Sequence, residues 1–125
     1  MATDLENIQR LLDRFKRPIP DKQEYKHRLA EEFELILNQR FTDYFLRICD
    51  VIELTKDLKH MTRGSAGSSL VCYLLGITDV DPIEWNIPVA RFMNPLRDDL
   101  PDVDIDFQHW RQGEVMERIF KKWPG

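Results

Sequence analysis

The chain has 125 residues, 42% of them hydrophobic and 32% charged, with 18 basic against 22 acidic side chains and a net charge of −4. That is enough chain for one domain or a piece of a larger one, and the lack of a basic excess argues against a module that grips a nucleic-acid duplex unaided. No apolar run approaches the roughly 20 residues of a membrane span, Met1-Ala2-Thr3-Asp4 lacks the basic and apolar segments of a secretory signal, and Cys49 and Cys72 lie in apolar helical patterns without CxxC spacing, so a cytoplasmic chain with two buried free thiols is expected.

In chain order, Thr3-x-x-Glu6 forms a capping box ahead of a helix carrying Leu5, Ile8, Leu11, Leu12 and Phe15, ended by Pro18 and Pro20. Asp21-x-x-Glu24 is a second capping signal, followed by the stripe Tyr25, Leu29, Phe33, Ile36 and Leu37. Thr42 is placed to cap a third helix with Tyr44, Phe45, Ile48, Val51, Ile52 and Leu58. Such stripes are packing faces. His27 and His60 have no metal-ligand spacing to other His or Cys and read as surface residues.

The texture then changes. Arg63-Gly64-Ser65-Ala66-Gly67-Ser68-Ser69 is a run of small residues leading into Leu70-Val71-Cys72-Tyr73-Leu74-Leu75, with Gly76 as a helix stop. A Gly/Ser turn opening a helix offers backbone N–H groups, hydroxyls and the positive end of the helix dipole, which suits phosphate. It is not a Walker A loop, having no Gly-Lys-Ser/Thr ending; the alternative is small residues that permit close helix packing. Asp81-Pro82 reads as a structural helix start. Residues 87–93 are expected as a short strand, Asn94-Pro95 turns the chain, and Arg97 is placed either to meet a nucleotide phosphate or to balance nearby acids.

Pro101-Asp102-Val103-Asp104-Ile105-Asp106-Phe107 alternates carboxylates with apolar residues. In a strand, Asp102, Asp104 and Asp106 share one face. Three like charges there repel, and Asp is a poor strand former, a cost accepted most readily when a cation sits among them. Hard divalent ions such as Mg²⁺ take oxygen ligands, often with substrate phosphates. The alternative is a solvated acidic loop, since Asp98 and Asp99 lie just upstream. A last helix carries Val115, Ile119 and Phe120, with Lys121 and Lys122 in its final turn.

The stretch Arg63 to Phe107 resembles the palm of the C-family replicative DNA polymerases, the bacterial DNA polymerase III alpha subunits. The matching pieces are Arg63-Gly64-Ser65, Ser69-Leu70-Val71, Leu75-Gly76-Ile77-Thr78-Asp79-Val80-Asp81-Pro82, Arg91-Phe92, Asn94-Pro95, Arg97 and Pro101 to Phe107, in the family's order. Weaker similarity covers Arg28 to Asp57 and runs on to Gly125. The chain departs from the family at Thr62 and Ser68, where glycines are usual, at Ala90, where a Glu is usual, and at Gln112, where an Arg is usual.

The resemblance implies an α+β, predominantly helical chain: a helical segment over residues 1–60, then a partial polymerase-beta-like nucleotidyltransferase palm over 61–125 with a small, short-stranded sheet. Helices are expected over most of 4–58, 68–76 and 109–122, and strands around 87–93 and 102–107. It further implies two-metal nucleotidyl transfer in a parent DNA-directed DNA polymerase. Asp102 and Asp104 are then the catalytic metal ligands for Mg²⁺, with Mn²⁺ as an alternative, and Asp106 is a third metal neighbour. Gly64, Ser65, Ser69 and Arg97 are the nucleotide-binding residues. The partners implied are primer-template DNA, deoxynucleoside triphosphates and the remaining polymerase domains. The family's third carboxylate is expected beyond Gly125 and its other domains are absent from this chain, which is read as a fragment, inactive alone, whose short strands either pack against the helices or have their edges covered by self-association. The competing readings are a non-enzymatic, palm-derived binding or assembly module, and a small stand-alone nucleotidyltransferase drawing a third carboxylate from Asp79 or Asp81.

Overall fold

A computed structural model describes residues 3–58, 60–93, 103–107 and 111–123, of which 60–63, 65, 103, 104, 106 and 107 are described by backbone alone. The chain is predominantly helical. In order come α1 (Asp4–Leu12), α2 (Gln23–Asn38), α3 (Thr42–Leu54), β1 (His60–Gly64), a 3-10 turn (Ser65–Ser68), α4 (Leu70–Leu74), a second 3-10 turn (Val89–Arg91), β2 (Val103–Phe107) and α5 (Gln112–Lys122).

The apolar stripes supply the core, although Leu5 and Phe120 stay exposed. Leu11 of α1, Tyr25, Leu29, Phe33 and Ile36 of α2, and Phe45, Leu46, Ile48, Cys49 and Ile52 of α3 are buried together with α4, whose Leu70, Val71, Cys72 and Leu74 are fully enclosed. A five-residue helix has no stability of its own, so α4 exists because its surroundings hold it. α2 packs against it. Past its end, Gly76 takes φ 81°, letting the Ile77 N–H reach back to the Cys72 carbonyl (2.9 Å), the left-handed stop anticipated from sequence. The link after α1 closes the other side: the Lys16 and Arg17 N–H groups donate to the Leu74 carbonyl (2.8 and 3.1 Å). The Arg17 guanidinium donates to the carbonyls of Tyr73 and Thr78 and to Asp79, and lies over the Tyr73 ring.

Two of the three capping expectations need correction. The Thr3 hydroxyl does accept the Glu6 N–H (3.2 Å), as the capping box requires, but Asp21 does not cap α2. Lys22 holds the cap position without a side-chain bond, and Asp21 pairs with Lys26 instead. Thr42 does not cap α3 either. Arg40 adopts φ 60°, the Phe41 N–H returns to the Ile36 carbonyl, and Phe41 becomes the cap, which leaves Thr42 inside the first turn. Its buried hydroxyl has no hydrogen-bond partner among the described residues.

The expected strand at 87–93 is a 3-10 turn. Pro88 has no N–H to give a ladder, and the amides of Arg91 and Phe92 are satisfied locally by the carbonyls of Pro88 and Val89. Asp81-Pro82 likewise opens a turn rather than a helix. The Asp81 carboxylate accepts the Ile83 and Glu84 N–H groups (2.9 and 3.3 Å) and the Tyr25 hydroxyl (2.6 Å). That last bond, with burial, pushes the Tyr25 phenol up to about 12. Both cysteines are buried and free, and desolvation raises the Cys49 thiol to about 11.

α5 is tied to the end of α3. The Arg118 guanidinium donates to both Asp57 oxygens (2.6 and 3.0 Å), to the Leu54 carbonyl and to Glu114. The hydrogen bond from Arg118 holds the Asp57 carboxyl down at about 2. A carboxylate depressed on folding stabilises above its unfolded value of about 3.8 and loses that contribution as pH falls through about 2. Asp57→Asn is therefore expected to lower Tm at neutral pH and to remove part of the acid-induced fall between pH 4 and pH 2. Melting curves of the two proteins over that range check it, and parallel curves would refute it.

Candidate active site

β1 and β2 pair antiparallel with His60 opposite Phe107, Met61 opposite Asp106, Arg63 opposite Asp104 and Gly64 opposite Val103. β1 was not anticipated, since His60-Met61-Thr62-Arg63-Gly64 lacks the β-branched alternation that marks a strand. The pairing puts the entry to the Gly-Ser run beside the acidic stretch, although the two are far apart in sequence. Gly64 has φ 87° and ψ −160°, a conformation that penalises any side chain, and the backbone turns there into the 3-10 segment Ser65–Ser68.

Of the residues expected to bind metal, Asp104 and Asp106 lie in β2 and Asp102 lies outside the described residues, as does Arg97. Among the described residues no group of three or more Asp, Glu, His or Cys side chains is assembled that could hold a metal ion. The donor chemistry of the acidic stretch is all carboxylate oxygen, the set that hard divalent ions prefer. Gly64 and Ser65 sit at the end of β1 and the start of the turn. Ser69 sits apart, fully buried at the start of α4. Its oxygen accepts the Cys72 N–H (3.0 Å), and its proton goes to Glu32 (2.7 Å).

Glu32 is the residue that sequence reasoning missed. It comes from the inner face of α2 and is completely buried. Four donors converge on its two oxygens: the Ser69 hydroxyl and Val71 N–H on Oε1, the Leu70 N–H and Arg28 Nε on Oε2, at 2.7 to 3.0 Å. Burial pushes its carboxyl above the ordinary range, while the Val71, Leu70, Ser69 and Arg28 donors act in the opposite sense. The N-terminal amides of α4, read from sequence as a phosphate cradle, are thus taken by a carboxylate of the same chain. Arg28 extends the network. Its two terminal nitrogens donate to the carbonyls of Ser68 and Ile87, each at 2.7 Å. A signal was present: Arg28 and Glu32 stand four apart along the stripe Tyr25, Leu29, Phe33, Ile36, where charge is out of place unless paired.

Asp79 and Asp81, the remaining acids near the Gly-Ser run, are bound within the chain, to Arg17 and to Tyr25 with two backbone amides. No helix among the described residues is long and apolar enough to cross a membrane.

The family described as the bacterial DNA polymerase III alpha NTPase domain matches residues 5–124. A DNA polymerase III subunit alpha of Staphylococcus aureus strain MRSA252 is 44% identical over 102 residues, covering 79% of this chain and 10% of that protein. An error-prone DNA polymerase of Cutibacterium acnes is 42% identical over 100 residues, covering 78% of this chain and 9% of that protein. The chain therefore spans about a tenth of the length of the curated relatives it matches. This match over nearly all of its residues places the chain in the bacterial DNA polymerase III alpha family.

Proposed function

We propose that this chain is the part of a DNA-directed DNA polymerase catalytic subunit that presents metal-binding carboxylates and a nucleotide-facing turn: residues 61–125 supply part of a polymerase-beta-like palm, and residues 1–60 the helices leading into it. Asp102 and Asp104 hold Mg²⁺, or Mn²⁺ in its place, with Asp106 as their neighbour. Gly64, Ser65 and Arg97 approach the triphosphate of the incoming deoxynucleotide, and Ser69 fixes the turn from behind. When bound, the divalent ions supply charge neutralisation at the phosphates and activate the primer hydroxyl. The partners are primer-template DNA, deoxynucleoside triphosphates and the other polymerase domains.

The observation that carries this reading is the register that sets Arg63-Gly64 opposite Asp104 and Val103. Phosphoryl-transfer chemistry needs triphosphate and metal within a few ångströms of each other, and this pairing joins the two backbone segments that would hold them. The test is a Mn²⁺ titration of isotopically labelled chain. Paramagnetic broadening is expected to centre on residues 102–107 and Gly64–Ser65, and to vanish in Asp102→Asn/Asp104→Asn. Diffuse broadening over every acidic patch would overturn it.

One observation favours the second reading, a binding or assembly module without catalysis: the amides at the start of α4 are filled by Glu32. Mg²⁺-independent nucleotide binding, or none, together with the diffuse broadening, would move that reading ahead.

A further inference from the structure

Of the residues expected from sequence to bind nucleotide or metal, Glu32 bonds Ser69, and with Arg28 it holds the end of the turn that carries Gly64 and Ser65. The Ser68 carbonyl ends the 3-10 segment that begins at Ser65, and Arg28 binds it. The next residue, Ser69, gives its proton to Glu32, and the following two amides donate to the same carboxylate. Four consecutive residues, Ser68 to Val71, are therefore fixed by one ion pair on α2. The second arm of Arg28 binds the Ile87 carbonyl, so the segment leading to Pro88 and Phe92 is held by the same guanidinium. At the other end of the turn, Gly64 is fixed by its pairing with Val103. The four residues Ser65–Ser68 thus span two anchors, one on β2 and one on α2.

We propose that Arg28 and Glu32 are positioning residues for nucleotide binding, setting the conformation of the Gly64–Ser68 turn through its carboxyl-terminal anchor. This rests on the reading that the turn faces a triphosphate. A planar guanidinium fits this task because it reaches the Glu32 carboxylate and two carbonyls in different directions. A lysine at the same place keeps the charge beside Glu32 but has one nitrogen and cannot span all three acceptors. Arg28→Lys therefore separates geometry from charge.

The experiment compares the full chain with Arg28→Lys and Glu32→Asp, and uses dATP with Mg²⁺ as the probe. Two readouts are taken: amide hydrogen exchange, and dATP affinity from chemical-shift titration. In Arg28→Lys, exchange at residues 66–69 is expected to rise at least tenfold while Leu46, Ile48 and Ile52 in α3 keep their protection. The dATP dissociation constant is expected to rise about tenfold, equivalent to about 1.4 kcal/mol. Glu32→Asp, whose carboxylate falls one methylene short, is expected to do the same. Unchanged exchange in the turn, or a uniform rise that includes α3, would overturn the positioning role. If the exchange rises locally but neither the wild-type chain nor the variants bind dATP, the positioning of the turn stands and the nucleotide reading fails. If wild type binds dATP and Arg28→Lys binds equally well, the nucleotide reading stands and the positioning role in binding fails.

Discussion

Glu32→Gln is expected to lower stability by about 3–5 kcal/mol, the range for breaking one side of a buried ion pair. Four donors meet the two Glu32 oxygens, two on each. Glutamine keeps one oxygen and turns the other into an NH₂ group that faces two of those donors. If that group lies at Oε2, it meets the Leu70 N–H and the Arg28 guanidinium, and Arg28 is left nearly buried without its counter-charge. If it lies at Oε1, the Val71 N–H loses its acceptor, the Ser69 hydroxyl can turn to accept from the NH₂ group, and Arg28 again lacks a counter-charge. Either way, groups shut off from water lose their partners, at about 1–3 kcal/mol each. Thermal melting should show a drop of roughly 10–20 °C for a chain of this size. A drop of only one or two degrees would mean that the carboxylate is not the hub described. The usual remedy for a buried pair, replacing both members with apolar residues, should also fail here. Arg28→Met/Glu32→Met would still strand two backbone amides at the start of α4, so the double variant is expected to remain well below wild type.

Phe45→Ala comes next in size, with an expected loss of about 3–5 kcal/mol. Phe45 is fully buried, with its ring 5.4 Å from Tyr44 and 5.7 Å from Phe92 between centroids. The substitution removes a whole ring from a closed space. It also takes away an aromatic contact of Phe92, a buried residue of the same core. Phe45→Leu, which refills much of that space, should lose less than half as much. Urea unfolding of the three proteins measures this, and equal midpoints for the alanine and leucine variants would contradict a packing origin. Exchange at Phe92 and Met93 should rise in the alanine variant before exchange at Leu29 does.

The helical part of this fold was legible because α1, α2 and α3 bury one face each, and period 3.6 in the sequence reports that directly. Gly76 was legible for a different reason: a left-handed stop has few substitutes. What could not be read depended on partners distant in the chain. Arg63 and Asp104 meet only because β1 and β2 pair, and nothing in His60 to Gly64 announces a strand. The apolar residues around Ile87 and Val89 suggested one, but Pro88 and local i to i+3 bonding prevailed. Thr42 looked like a cap until Arg40, in a left-handed conformation, moved the boundary by one residue. In the candidate site, the Gly-Ser run and the alternating aspartates stood out as chemistry. Glu32 did not, because a single charged residue within an amphipathic helix looks like part of its solvent face until its neighbours are counted by turn.

The central helix has a consequence for the order in which the molecule comes together. α4 is one turn and a half of backbone, too short to persist before docking, and the carboxylate that completes its first turn lies 37 residues upstream of Ser69. During synthesis α2 is already outside the ribosome when Ser69 emerges, so its acceptor is waiting for donors not yet made. The Gly-Ser turn should therefore acquire its shape late and in one step, as the finished α2 captures it. A chain rearranged so that α2 is synthesised last would have to expose its most apolar segment, Leu70 to Leu75, until that acceptor arrived.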